Sequence, residues 1–422
     1  MLTFSIPAHS GGRGVAPEFT KYSMNVHVAI MSVVGPGDTI VMARNGHKSA
    51  FAGLILSGAR PVYVDPYYDE EFEFALGVLP ETVVRTLETH PEAKAVMIFN
   101  PSYYGTSADV RAIADVCHAR GLPLVTDDAW GLDYALSGHP DLPDGALAHG
   151  SDLAIGSVHK TLSGLSQTSV LSVGSDRIDT ERLQLCFELE ESTSTSVLLL
   201  SSIDGARAQF VREGDQLLDR AVGSARLLRE RLAREVPELR VIDTELLASR
   251  PGVTAVDPTH VLIETAPIGL TGYRALDWLR QQHHIDLELV DHRRIMPLIA
   301  FAHGEAEVDR LVRGLRDLVD ARPDEDGSDI PSFPSRPQIR TEAPMLPRDA
   351  FFAPTEKVSF SDAPGRISAE LVTPYPPGIP AVAPGELYTE ENVSYPQAFV
   401  EAGGFVEGAA DPSLQQLRVV AV

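Results

Sequence analysis

Short apolar runs recur along the first half of this chain and alternate with stretches of helical spacing, and no other feature restricts the possible folds as strongly. Residues 39–43, 60–64, 94–99, 123–126, 153–157 and 169–173 read as strands, and 108–120 carries apolar residues at helical spacing between two of them. The alternation predicts an α/β fold, a mostly parallel sheet with helices on both faces. Ligands collect at the carboxyl ends of strands in such folds, and Ser102, Asp127 and Lys160 all fall at such ends.

Two of those ends carry complementary chemistry. Ser157-Val158-His159-Lys160 closes the run that starts at Asp152, and Asp127-Asp128-Ala129-Trp130 closes the strand before it. A lysine so placed can form a Schiff base with an aldehyde, and an aspartate on an earlier strand can keep a pyridine nitrogen protonated. Together they read as a site for pyridoxal 5'-phosphate. Asp127 sustains the electron sink, while Lys160 holds the aldehyde until substrate displaces it and then serves as general acid or base near Cα. Ser157 and His159 point a hydroxyl and an imidazole at the phosphate. Each feature alone has a plainer explanation, since lysines after strands are usually solvated and an Asp-Asp pair commonly caps a helix or forms a turn. Their order and spacing make the reading.

Further segments agree with it in sequence order. Arg44-Asn45-Gly46-His47-Lys48-Ser49 resembles R-N-x-H-K-S, and Asn100-Pro101-Ser102-Tyr103-Tyr104-Gly105 resembles N-P-T-Y-Y-G. Residues 126–130 and 157–167 match D-x-A-H/W and S-x-H-K-T-L segments. Residues 345–352, Gly365-Arg366-Ile367-Ser368-Ala369-Glu370, Pro374-Tyr375-Pro376-Pro377-Gly378-Ile379-Pro380 and Pro384-Gly385-Glu386 follow. Over most of its length the chain resembles the Orn/Lys/Arg decarboxylase family, pyridoxal phosphate enzymes of the aspartate-aminotransferase fold (fold type I).

The resemblance implies decarboxylation of arginine, lysine or ornithine to the amine and carbon dioxide, a step of polyamine metabolism. It gives His47 the role of stacking on the cofactor ring and places Ala129 and Trp130 in the cofactor-binding segment. Thr193-Ser194-Thr195-Ser196 is similar to the family's T-S-P-S loop, which lies near the cofactor phosphate of a neighbouring subunit; its plainer reading is a helix N-cap. Sites built from two chains imply a homodimer or higher oligomer. A carboxylate must meet the substrate's distal cation, and Glu288 and Asp128 are candidates.

One stretch departs from the family pattern. Most of the segment expected between the P-x-H-x-G-G element and R-N-x-H-K-S is absent, and the chain passes from Pro17-Glu18-Phe19 to Thr20-Lys21-Tyr22-Ser23-Met24-Asn25. Ser23 falls on the serine of the family's phosphate-binding N-G-T-S-type loop, with Lys21 and Tyr22 at its glycine and threonine. A glycine there lets backbone N–H groups approach a phosphate, so its replacement predicts weaker cofactor binding. Two alternatives follow: other chemistry on the same cofactor, such as transamination or elimination, and a catalytically impaired homologue acting as a partner or regulator.

Composition bounds the remaining classes. A formal charge of −24 disfavours binding to nucleic acid and mildly favours cationic ligands. No apolar run has membrane-spanning length, and no signal peptide is evident. Cys117 and Cys186 offer no disulfide framework, which fits the cytoplasm. His283, His284 and His292 lack partners at ligand spacing, so no metal site is expected. Gly11-Gly12-Arg13-Gly14 lacks the strand and Lys-Ser/Thr of a P-loop. The expected divisions are an N-terminal element (1–19), a cofactor-binding large domain (20–205), a small α+β domain (206–320), a polar linker (321–340) and a C-terminal domain (341–422). The small domain is expected from a charged, leucine-rich helical stretch at 207–236, strands at 239–242, 260–264 and 285–290, and helices at 275–282 and 305–319.

Overall fold

The computed structural model describes residues 22–321, Ile330, Phe333 and 341–421. The expected N-terminal element, Lys21 and nearly all of the expected linker lie outside these residues. Helix α1 (Tyr22–Val33) leads into strand β1 (Thr39–Ala43), helix α2 (Lys48–Ser57) and strand β2 (Arg60–Val64). A short hairpin of β3 (Tyr68–Asp69) and β4 (Phe74–Ala75) precedes helix α3 (Pro80–Thr89) and strand β5 (Ala93–Phe99). After β6 (Thr106–Ser107) and α4 (Val110–His118) come β7 (Leu124–Asp127), α5 (Leu132–Ser137), β8 (Leu153–Ser157), the single-turn α6 (Val158–Thr161) and β9 (Ser169–Val173).

The central sheet runs β2-β1-β5-β7-β8-β9. Every neighbouring pair is parallel except β8 and β9, which run antiparallel with Ser157 opposite Ser169. β1 and β8 are buried along their whole length, as continuous apolar runs are when helices cover both faces. Strand β7 sits one residue later than the sequence suggested. Pro123 has no N–H for the ladder and contributes only its carbonyl, to the Val96 N–H at 3.1 Å. Asp127 in turn is drawn into register between Phe99 and Ile155. Helices α1 and α2 pack closely where Gly53 faces Ile30; a Cβ at Gly53 would lie 2.6 Å from Ile30 Cδ1.

Helix α7 (Thr180–Glu190) leads to α8 (Val197–Glu235), one continuous helix of 39 residues rather than a helix opening near 207. Its start is set by Ser196, whose hydroxyl accepts the Leu199 N–H at 3.4 Å. The second half of α8 is buried through Leu217, Leu218, Ala225, Leu228 and Leu232. It covers an antiparallel sheet ordered β10 (Arg240–Val241), β12 (Ile263–Glu264), β14 (Arg294–Met296), β13 (Leu289–Val290), together with α10 (Gly272–His283) and α11 (Glu305–Ala321). These strands are shorter than the sequence suggested. Helix α9 (Thr244–Ala248) and β11 (Ala255–Val256) lie between β10 and β12, and β11 pairs with β6, tying this unit to the large sheet.

Residues 341–421 form a third unit around Val372, Val382, Tyr388, Val393, Leu417 and Val419. It is fastened to the large sheet by a buried ion pair: Arg44 donates to both oxygens of Glu386 at 3.2 and 3.0 Å and to the Pro380 carbonyl at 2.8 Å. Lys48 pairs with Glu407 nearby. No helix among the described residues is long and apolar enough to cross a membrane.

Candidate active site

Strand β8 carries the chain to Ser157, and the single turn of α6 then swings Lys160 over the carboxyl end of the sheet. Asp127 ends the neighbouring strand. His47 arrives from the loop after β1, where it caps α2. These three side chains, with Ala129, Trp130, Ser102 and Tyr103, line one cleft.

Burial pulls the Lys160 amine down from 10.5 to about 8, against the opposing charges of Asp127 and Glu288. Its Nζ lies 4.0 Å from the centre of the Trp130 ring, over the face. Asp127 is buried, and one of its oxygens accepts the Ala129 N–H at 3.2 Å, which aims the carboxylate. His47 Nδ1 accepts the Ser49 N–H at 3.3 Å and lies 2.9 Å from the Ser49 hydroxyl, so a neutral ring carries its proton on Nε2. Burial, with the charges of Lys160 and Lys48 adding, pushes this ring down to about 3. It is neutral throughout the physiological range. Gly46 is required beside it, since a Cβ there would lie 2.3 Å from the Phe99 ring.

Ser157 is fully buried, and its hydroxyl has no hydrogen-bond partner among the described residues. An orphaned hydroxyl at a strand's carboxyl end suits an anionic oxygen, although Ser157, like His159, does not itself line the cleft. The half-buried His159 spends its Nδ1–H on the Thr168 carbonyl at 2.7 Å, so only the imidazolium form has a second N–H to offer a phosphate. Burial holds its pKa below the usual histidine value. Ser23 sits in the first turn of α1 and does not line the cleft. Thr193 is exposed in the turn between α7 and α8, also away from the cleft of its own chain.

The two carboxylates considered for the distal cation part company. Asp128 is enclosed, does not line the cleft, and is pushed up to about 8 by burial, with the Asp127 charge adding. That environment disqualifies it as a cation receptor. Glu288 stands exposed on the segment before β13; it does not line the cleft either, but it is near enough to Lys160 for their charges to interact. Among the described residues no group of His, Cys, Asp and Glu converges as a metal site would.

The major-domain model of the Orn/Lys/Arg decarboxylase family matches residues 18–307, and its C-terminal-domain model matches 336–405. The chain belongs to this family. Membership makes it an amino acid decarboxylase. An arginine decarboxylase of Bacillus subtilis is 36% identical over 391 residues, 93% of this chain and 79% of that protein. One from Halalkalibacterium halodurans is 37% identical with the same coverage. Among solved structures, a lysine decarboxylase of Francisella novicida matches with a TM-score of 0.78 at 20% identity, covering 98% of this chain and 70% of that one. An alanine–glyoxylate aminotransferase of Nostoc matches with a TM-score of 0.56 at 18% identity, over 71% and 80%. These two likenesses establish the fold alone, a parallel-sheet fold shared by decarboxylases and aminotransferases.

Sequence reasoning missed what the other units of this decarboxylase bring to the cleft. Gly378 of the Pro374–Pro380 string accepts the Lys48 N–H at 3.1 Å, and a Cβ on it would lie 3.2 Å from His47 Cδ2. The motif was legible as a proline-rich string, but nothing in it announces contact with a histidine more than 300 residues earlier. Asp257 and His260, behind Trp130, were also missed; their only sequence signal is the Asp-Pro-Thr-His tetrapeptide at 257–260.

Proposed function

We propose that this decarboxylase uses pyridoxal phosphate to remove carbon dioxide from a basic L-amino acid, with arginine the first substrate to test. The observation that carries the reading is the convergence of Lys160, Asp127 and His47 in one cleft, with the Lys160 amine brought to about 8. The residues fit the cofactor: Lys160 would meet the aldehyde, Asp127 the pyridine nitrogen, the neutral His47 ring one face, and the orphaned Ser157 hydroxyl the phosphate. Bound there, pyridoxal phosphate would supply the electron sink that takes up the electron pair of the Cα–carboxylate bond as carbon dioxide leaves. An amine that titrates near 8 can both take up and give a proton at neutral pH, so Lys160 can return one to Cα. Asp127, buried and aimed by the Ala129 N–H, holds a proton at the ring nitrogen. Glu288, whose charge reaches Lys160, would take the substrate's distal cation. The names of the relatives matched over 93% of the chain favour a guanidinium there.

A second copy completes this reading. Leu185, Leu189, Val197 and Leu198 are each at least two-thirds exposed and flank the turn that bears Thr193. Burying such a patch against its own copy would carry Thr193 toward the partner's cleft. Cys117 and Cys186 are both unpaired thiols, as a reducing cytoplasm would keep them.

The test is the visible absorption spectrum of the protein with pyridoxal phosphate, beside Lys160→Ala, followed by carbon dioxide release from arginine, lysine and ornithine. A band that depends on Lys160, and release from one of the three, are expected. Neither a band nor release would overturn the reading in favour of a non-catalytic homologue.

A further inference from the structure

Behind the cleft lies a buried polar cluster that the reaction outlined above does not use. Asp257 and His260 follow β11, the strand that pairs with β6 of the large unit. Asp257 is 1% exposed and His260 2%. One oxygen of Asp257 accepts the Thr259 N–H at 2.8 Å and the Thr259 hydroxyl at 2.7 Å. The other accepts the Tyr134 hydroxyl at 2.5 Å and the Nδ1–H of His260 at 2.9 Å. The imidazole is therefore fixed in orientation and tautomer. Gly105 closes over it: its φ is +77°, and a Cβ there would lie 2.7 Å from the ring.

The fixed ring meets Trp130. The two rings are 6.0 Å apart at 75°, an edge-to-face contact. The other consequence of Trp130's position is the 4.0 Å approach of its face to Lys160 Nζ. Both His260 Nε2 and Trp130 Nε1 are buried without hydrogen-bond partners, so packing between the rings, and no bond to either nitrogen, sets the indole plane. Asp257, His260, Trp130 and Lys160 thus form a continuous chain of contacts from the antiparallel-sheet unit to the reacting amine.

We propose that Asp257 and His260 are positioning residues that wedge Trp130 against Lys160, so that the interdomain segment sets the ionisation of the lysine that does the chemistry. The proposal rests on the reading of Lys160 given above, but its physics resides in the protein alone. A cation over an indole face is stabilised in its charged form. The wedge therefore raises the basicity of Lys160 relative to a site in which the indole can turn away. Asp127 and Glu288 also face the amine with negative charge and His47 faces it with a neutral ring; Glu288 is also within reach of charge on His260, so the His260→Gln shift is read in a Glu288→Gln background as well.

The experiment uses cofactor-free full-length protein, so that a failure to bind pyridoxal phosphate would not be mistaken for a failure of the wedge. The chain has two tryptophans, and Trp278→Phe leaves Trp130 as the only reporter. In that background His260→Gln keeps a donor for Asp257 but removes the ring, while Asp257→Asn keeps the ring but loosens its orientation. Trp130 emission and acrylamide quenching report the seat of the indole. The pH dependence of acetylation of the Lys160 peptide, read by mass spectrometry, reports the amine.

In His260→Gln, quenching is expected to rise and the Lys160 titration to fall by roughly half to one pH unit, the size of a lost cation–π contact. Asp257→Asn shifts both in the same direction by less. Leu279→Ala, a truncation in the antiparallel-sheet core, lowers the melting temperature without moving either readout; it controls for general destabilisation. The proposal is overturned if His260→Gln leaves the Lys160 titration at the parent value, whether or not Trp130 emission changes. It is equally overturned if Leu279→Ala moves both readouts as far. Should His260→Gln fail to fold, Asp257→Asn carries the same decision.

Discussion

The two walls of the cleft are built in different ways. One wall, Asp127 and Lys160, stands on adjacent strands of the parallel sheet, and each side chain is aimed by its own segment: the Ala129 N–H for Asp127 and the single turn of α6 for Lys160. The other wall is assembled from distant segments: Gly378 against His47, and Asp257 and His260 behind Trp130. It stays in place through long-range fasteners such as Arg44 with Glu386, 342 residues apart. A local wall tolerates surface change elsewhere, whereas an assembled wall fails when a fastener is cut. The mutations below separate the two.

Lys160→Ala strikes the local wall and should lower turnover by more than about 10²-fold, the scale of a lost proton-transfer group, while leaving the melting temperature near the parent value. Arg44→Met strikes the assembled wall, leaving the buried Glu386 carboxylate without its guanidinium. It should cost about 3–5 kcal/mol in urea unfolding, and Arg44→Met with Glu386→Leu should recover most of the loss. If the single variant is as stable as the parent, the third unit is not fastened as described. Gly46→Ala would force a methyl into the Phe99 ring, costing about 1–3 kcal/mol and moving His47; Phe99→Leu should relieve it.

A pH series sharpens the contrast within the local wall. Burial lifts Asp128 to about 8 from 3.8, so the folded chain keeps a proton that the unfolded chain releases between those values. That contribution is complete below the unfolded value and is lost as pH rises toward 8. Asp128→Asn should match the parent near about pH 4 and be more stable than it near about pH 8, in paired thermal melts. A difference independent of pH would show that Asp128 is not enclosed as described. The smallest effect is expected at Glu288: Glu288→Gln should raise KM for the cationic substrate about fivefold with kcat nearly unchanged, as for a partly solvated ion pair. An unchanged KM would remove Glu288 from substrate binding.

The parallel sheet was legible because its signals are local. Apolar runs of strand length and the motif residues at strand ends can each be read within a few positions, and the structure altered only their limits. The run at 169–173 carries no mark of its antiparallel direction, because direction depends on where the chain returns. The long helix was underestimated at its start, where Val197 and Leu198 are exposed beside Thr193 and Leu199 and Leu200 are half-buried. For the site, Asp127, His47, Ala129, Trp130 and Lys160 converge where the motifs suggested. Asp128 was read as available because it adjoins Asp127; both are buried, and which of two neighbouring carboxylates turns toward the cleft leaves no mark in composition.

The sequence by itself determined the α/β alternation, the strand ends that carry lysine and aspartate, and the family, because each depends on residue type at short spacing. Only the tertiary structure decided that Asp127 lines the cleft while Asp128 does not, that Gly378 abuts His47, and that His260 packs against Trp130 beneath Lys160. Those relations join positions far apart in the chain. They are set by which faces the packed units bury against each other, and no local pattern of residues encodes that.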